Sequence, residues 1–337
     1  MDAQLVLPHE DIARPKPKLT MLERFRFYRH YIKTLMRSKK LPIRGKLDLA
    51  QEIYNGAYNG NMHIKYDFGE LIRKLNFKSP QQVRFDHGKP FEAQWQQIAS
   101  FFDAYGKVLC KPAYGEQGKG IVEIAERSEL QAFLKSSAEE YLVQEFVRPV
   151  KDARYIYHRD ADVTYRICYE KRRTIVKGDG KSTVLDLIKS HPELPKHLKR
   201  KMLKTNKRRS SDFLANGVEE CLARTGNISN GAYSILIKNK ELAAIDYVML
   251  TLIDKLKTEK GIALSTYCFD IGTLKPFDEN TPYRIEDLVF YEFQIPFGFT
   301  GYTDLQELDG IRNEILFMLS NSVQRNWLNR NPRLPKP

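Results

Sequence analysis

Past Gly106 the chain breaks into short apolar runs set off by Gly and Pro, at 108–110, 120–124, 141–144, 164–169, 174–176, 233–237, 266–271 and 288–295. Runs of this length, rich in β-branched and aromatic residues and closed by turn formers, predict strands. Helical spacing intervenes at 128–136, 184–189 and 246–257. Upstream, Phe68, Leu71, Ile72 and Leu75 share one helical face, and a further helix is predicted over 94–102. The class is therefore mixed, α+β, with hairpins as well as crossovers. Such a fold needs a substantial core, and 337 residues with 42% hydrophobic content can build one, as two domains or as one with large insertions. The 18 Tyr and 18 Phe exclude intrinsic disorder despite a mean hydropathy of −0.50.

The longest clean apolar stretch, 247–253, is far short of the roughly 20 residues that span a bilayer. The first ten residues hold two acids and no Lys or Arg, unlike a secretory or transit segment, so a cytoplasmic location is expected. Cys110, Cys168, Cys221 and Cys268 are widely spaced with no Cys-x-x-Cys, which predicts reduced, mostly buried thiols rather than zinc or redox chemistry.

Charge is unevenly placed. Residues 14–46 hold twelve Lys/Arg against the single acid Glu23, and 196–209 hold eight with no acid. Together these exceed the whole chain's +13, so the remainder is net negative and the basicity belongs to two local surfaces. In the first, Leu22, Phe25, Tyr28, Ile32, Leu35 and Met36 form a stripe, with Arg24, Arg26, Arg29, Lys33 and Arg37 mostly off it. Such an amphipathic basic helix packs its stripe on a domain behind it or makes weak contact with an anionic membrane surface. The second has too few aromatics to stack bases, so no nucleic-acid partner is expected; it reads as a solvated helical insertion or a funnel for acidic substrates.

Several segments carry chemistry. Cys110 and Lys111 end a strand, a loop with Gly115, Gln117, Gly118, Lys119 and Gly120 follows, and a second strand starts at Ile121. Glycine backbone there approaches phosphate oxygens while Lys111 and Lys119 add point charge, although a hairpin with a flexible tip has the same pattern. Gly178-Asp179-Gly180-Lys181-Ser182-Thr183 lacks the earlier Gly of a Walker A loop, since Ile175 holds that place. Gln144 and Glu145 interrupt an apolar run whose strand edge suits an adenine, with Phe146 and Val147 as cover; many edge strands look alike. Asp270, Glu292 and Gln294 are set into apolar strands, the last two on one face. Buried carboxylates need a counter-charge, which Mg²⁺ with phosphate ligands provides, as does a Lys or Arg. Arg224, Gly226, Asn227, Ser229 and Asn230 lie in a polar, turn-rich stretch that offers a cation and donors to a transferring phosphoryl group, or is a plain loop.

Taken in this order, these segments resemble the ATP-grasp superfamily and are similar to the ATP-grasp domain of cyanophycin synthetase and related amino-acid ligases. The resemblance runs over roughly 65–302 and rests on the Gly178–Thr183 loop, the Gly226–Gly231 turn, the Asp270 strand and Glu292-Phe-Gln294. It implies an ATP-grasp fold of two α+β subdomains gripping a nucleotide, behind a mainly helical basic N-terminal region (1–60). The domain would run over 61–325, with a nucleotide-covering part at 106–165, a metal and substrate part at 166–325, and a tail at 326–337. The implied ATP contacts are Lys65, Lys111, the loop Gly115 to Gly120, Gln144 to Val147 as hinge, and Asp152 at the ribose. Arg166, Arg224 and Asn227 would face the transferring phosphate or acyl group. Asp270, Glu292 and Gln294 would hold two Mg²⁺ ions, with Mn²⁺ an accepted substitute; Gln294 stands where the family has Asn. The implied reaction joins a carboxylate to an amine, both small molecules, through an acyl phosphate, and a homodimer is left open. Alternatives are a phosphoryl transferase or carboxylate-activating enzyme with a non-amine acceptor, or a surface-binding protein with a degenerate nucleotide fold.

Overall fold

A computed structural model describes residues 65–113, 120–159, 164–194, 196–222, 232–262 and 266–294. The basic segment 14–46, loop residues Gly115, Gln117, Gly118 and Lys119, the stretch holding Arg224 and Asn227, and 295–337 lie outside them.

The described residues form a mixed α and β fold with antiparallel sheets. A four-stranded sheet contains β1 (Gln82–Phe85), β2 (Val108–Pro112), β3 (Val122–Ile124) and β4 (Tyr141–Glu145) in the order β1-β4-β2-β3. Helices α2 (Phe91–Tyr105) and α3 (Arg127–Ser136) cover it, burying Ile98, Phe102, Leu130 and Leu134 against Val108, Cys110, Ile124 and Val143. A five-stranded sheet contains β5 (Lys151–Arg159), β6 (Thr164–Arg172), β9 (Tyr233–Ile237), β10 (Thr266–Thr273) and β11 (Leu288–Gln294), in the order β11-β10-β5-β6-β9. One face of this sheet packs on α1 (Lys65–Lys74) and α6 (Asn239–Lys260) through Phe68, Ile72, Ile245, Val248, Met249 and Leu252. Aromatic rings pave that face: Tyr157 stacks on Tyr267 at 5.0 Å, and Phe269 meets Phe293 edge-on at 5.0 Å.

Between β6 and β9 a small third unit forms from the ribbon β7 (Ile175–Lys177) and β8 (Glu219–Cys221), with α4 (Val184–Ser190) and α5 (Lys196–Thr205). Its own core includes Val176, Val184, Ile188, Leu198, Met202 and Leu214. The predicted helical insertion is thus α5. Its apolar stripe is spent on this core, and Lys196, Arg200 and Lys204 are exposed on the other side.

The boundary between the two main parts differs from the expected 165/166. Strand β5 belongs to the five-stranded sheet, so the change falls between β4 and β5, and the four-stranded sheet starts at Gln82, ahead of the expected 106. Of the thiols, Cys110, Cys168 and Cys268 are buried and Cys221 is exposed. Among the described residues no helix is long and apolar enough to cross a membrane.

Candidate active site

Strand alternation gives the five-stranded sheet an aromatic face against the helices and a second face of different character. On that second face stand Asp152 and Arg154 of β5, Tyr169 and Lys171 of β6, Cys268, Asp270 and Gly272 of β10, and Glu292 and Gln294 of β11. Antiparallel register sets Asp270 opposite both Arg154 and Glu292, Gly272 opposite Asp152, and Cys268 opposite Gln294. The expected acidic strands therefore do meet.

Asp270 is tightly held. Arg154 forks onto it, Nε to Oδ1 at 2.7 Å and Nη2 to Oδ2 at 2.9 Å, and Lys171 Nζ lies 3.4 Å from Oδ1. The same ammonium is 3.1 Å from Asp152 Oδ1. The side chains of Lys171 and Asp270 are each 12% exposed, so these are charges largely withdrawn from water. Burial pushes the Asp270 carboxyl up, but Arg154 and Lys171 outweigh it and hold the group well below the usual carboxylate range. Asp152 goes the other way: burial and the nearby Asp270 charge raise it against the pull of Lys171. Burial also pushes the Cys268 thiol up to about 12, which keeps it protonated; its sulfur is 3.8 Å from Gln294 Oε1.

Lys111, on β2 of the other sheet, reaches this region, with Nζ 5.7 Å from the centre of the Tyr291 ring. Tyr291 owes its position to a β-bulge: the β10–β11 register shifts between Asp270 and Ile271, which makes it the extra residue on β11. Gly272 leaves room for it, because a Cβ there would fall 2.7 Å from both Tyr291 Oη and Pro149 Cβ. The Tyr291 hydroxyl is buried with no hydrogen-bond partner among the described residues. Burial, with Asp152 and Glu145 nearby, raises its phenol well above the ordinary value.

Other expected residues stand elsewhere. Arg166 is on the opposite sheet face: it pairs in register with Tyr157, and Nη1 lies 3.3 Å from Asp246 Oδ2 on α6. Asp246 also accepts a hydrogen bond of 2.9 Å from Tyr155 Oη, so the half-buried Arg166 joins a polar cluster at α6 whose other members are buried. The cation that β6 supplies to the site face is Lys171, an odd number of residues further on.

The hinge is also different from a free edge. Strand β4 is central, paired on both sides by β1 and β2. Gln144 Nε2 donates to Gln82 Oε1 at 3.2 Å, inside the sheet. The Glu145 N–H donates to Gln81 O at 2.9 Å and the Phe146 N–H to Lys107 O at 3.3 Å, so both are taken up within the protein. Val147 lies past the end of β4.

Lys65 opens α1, and Gly120, with φ +71°, follows the glycine loop. In the Gly178–Thr183 turn, Asp179 Oδ1 accepts the N–H groups of Lys181 at 2.9 Å and Ser182 at 2.6 Å, and Oδ2 accepts the Ser182 hydroxyl at 2.7 Å. These bonds lower the Asp179 carboxyl to about 2 and commit it to launching α4, which Thr183 caps.

Sequence reasoning missed Arg154, Lys171 and Tyr291. Arg154 alone had a local cue, Asp152 and Arg154 alternating with Ala153 and Tyr155 as strand faces do, but nothing in that cue named its partners on other strands.

The donors suit Mg²⁺. Asp270 and Glu292 are paired across the β10–β11 ladder, with the Gln294 carbonyl two residues on, and all offer hard oxygens. Arg154 and Lys171 use about three of the roughly four acceptor directions of Asp270, which leaves about one. Among the described residues no three His, Cys, Asp or Glu side chains converge as a ready-made cage.

No protein-family model matches the chain, and no curated protein matches it. Among solved structures, it is similar to D-alanyl-alanine synthetase A from Vibrio cholerae O1 biovar eltor str. N16961, with 11% identity over 80% of this chain and a TM-score of 0.45. It is similar to VanG D-Ala:D-Ser ligase from Enterococcus faecalis, with 12% identity over 77% of this chain and a TM-score of 0.44. It is also similar to the ATP-grasp ligase PsnB complexed with minimal precursor, Mg and ADP, with 14% identity over 80% of this chain and a TM-score of 0.43. The chain spans 66%, 62% and 62% of the lengths of these three.

Proposed function

We propose that the chain is an ATP- and Mg²⁺-dependent ligase of the ATP-grasp kind that joins a carboxylate to an amine, of amino-acid or peptide type, through an acyl phosphate. The observation that carries this reading is the convergence of Lys111 from one sheet with Asp152, Arg154, Lys171, Asp270 and Glu292 on one face of the other. A face that alternates cations and carboxylates, approached by a lysine of the other sheet, suits a polyphosphate and its metal better than either sign alone.

In this reading Lys111, Arg154 and Lys171 neutralise phosphate oxygens, and Asp152 orients the ribose. Asp270, Glu292 and Gln294 hold Mg²⁺, which supplies Lewis-acid stabilisation of charge on the transferring phosphoryl group. Arg224 and Asn227, outside the described residues, are the proposed contacts to the acyl group. Phosphoryl transfer asks little more of a protein than positioning and fixed charge, and these residues provide both. Attack of the amine on the acyl phosphate completes the reaction, and exclusion of water is assigned to the loop from Gly115 to Gly120.

ADP release in the presence of MgATP tests the reading, against pooled carboxylates and amines with Glu292→Ala as control. Release that needs both pools is expected. Release with a carboxylate alone would move the acceptor to another class, and equal release by Glu292→Ala would overturn the metal assignment.

A further inference from the structure

The Lys171 ammonium bridges two carboxylates from two different strands, 3.1 Å from Asp152 and 3.4 Å from Asp270. Register sets this arrangement: Ala153 lies opposite Glu170, which brings Lys171 level with Asp152, while Arg154 lies opposite Asp270. The four groups Asp152, Arg154, Lys171 and Asp270 are together formally neutral, and Lys171 and Asp270 are nearly withdrawn from water. Glu292, opposite Asp270, brings the formal charge to −1, so a divalent ion added to this cluster still leaves a net positive charge uncompensated, which such an environment disfavours.

We infer that Lys171 stands in for the divalent cation in the nucleotide-free protein, so that the metal binds appreciably only together with the anionic phosphates that give the lysine a replacement partner. This inference rests on the nucleotide reading above and adds an order to it: the metal alone is refused, and metal with nucleotide is accepted. The desolvated ammonium is stable only while it has carboxylate or phosphate partners, and here Asp152 and Asp270 supply them. Arg154 has a different part, because its fork engages Asp270 alone and fixes that side chain's orientation.

The test is Mn²⁺ binding to the full chain, followed by the electron paramagnetic resonance signal of free Mn²⁺, with no nucleotide present. Lys171→Met is expected to bind Mn²⁺ about tenfold or more tightly than the parent chain, and Lys171→Arg is expected to match the parent. Equal Mn²⁺ affinity in parent and Lys171→Met, both folded by circular dichroism, would overturn the inference. Should Lys171→Met not fold, Lys171→Gln takes its place, and the parent alone still decides: ADP must raise its Mn²⁺ affinity about tenfold or more. Calorimetry with ADP separates the two readings. A parent that binds no ADP contradicts the nucleotide assignment, while the contrast between parent and Lys171→Met without nucleotide still reads the role of the lysine.

Discussion

At the scale of single residues, the chemistry turns on how the buried Asp270 carboxylate is kept charged. Stripping Arg154 to Met leaves Asp270 with Lys171 alone. The expected loss is about 3 kcal/mol in urea unfolding, the lower end for breaking a buried pair because one cation remains. The depressed Asp270 pKa gives stability that is fully present above the free carboxylate value, about 3.9, and is lost as pH falls below it toward the folded value. The raised Asp152 pKa has the opposite sign, its unfavourable contribution fading on acidification. Comparison of urea midpoints at neutral pH and near pH 3 should therefore show a smaller acid loss in Asp270→Asn than in the parent chain. Asp270 and Glu292 were legible in the sequence because polar residues interrupt apolar strands. Arg154 and Lys171 were not, because what makes them site residues is register among β5, β6 and β10, a pairing between segments more than a hundred residues apart for Arg154 and Asp270. Arg166 stands on the other face for the same reason: a motif fixes residue order, and alternation along β6 decides which face each residue takes.

At the scale of elements, the bulge in β11 and the missing Cβ of Gly272 act as a pair. Gly272→Ala would press a methyl group onto Tyr291 Oη and Pro149, each 2.7 Å away, and is expected to destabilise by about 1 to 3 kcal/mol. Tyr291→Phe removes a buried hydroxyl that has no partner among the described residues, so thermal unfolding should show it neutral or slightly stabilising. In the double variant the cost of Gly272→Ala should shrink. At the start of α4, Thr183→Ala should cost about 1 kcal/mol through loss of the cap to the Asp186 N–H. Strands with long apolar runs, such as β9 and β10, were readable from composition. Strands β1, β5 and β8 were not: β5 turns a charged row to the site, β1 alternates in only four residues, and β8 is Glu-Glu-Cys. A strand that serves a polar site hides its periodicity in the residues that make it useful.

At the scale of the whole molecule, two antiparallel sheets meet where Lys111 approaches Tyr291, and the site belongs to neither sheet alone. The mixed class and the order of most elements follow from local patterning. The boundary between the parts does not, because assignment of β5 to one sheet is settled by pairing with β10 and β6. The most direct test of the central claim is a calorimetric titration of MgATP into the parent chain, Lys111→Ala and Arg166→Gln. The expected result is one site in the parent, weakened about tenfold or more by Lys111→Ala and unchanged by Arg166→Gln, whose side chain faces α6 on the other side of the sheet. Absence of MgATP binding by the parent, or equal weakening by both substitutions, would contradict it.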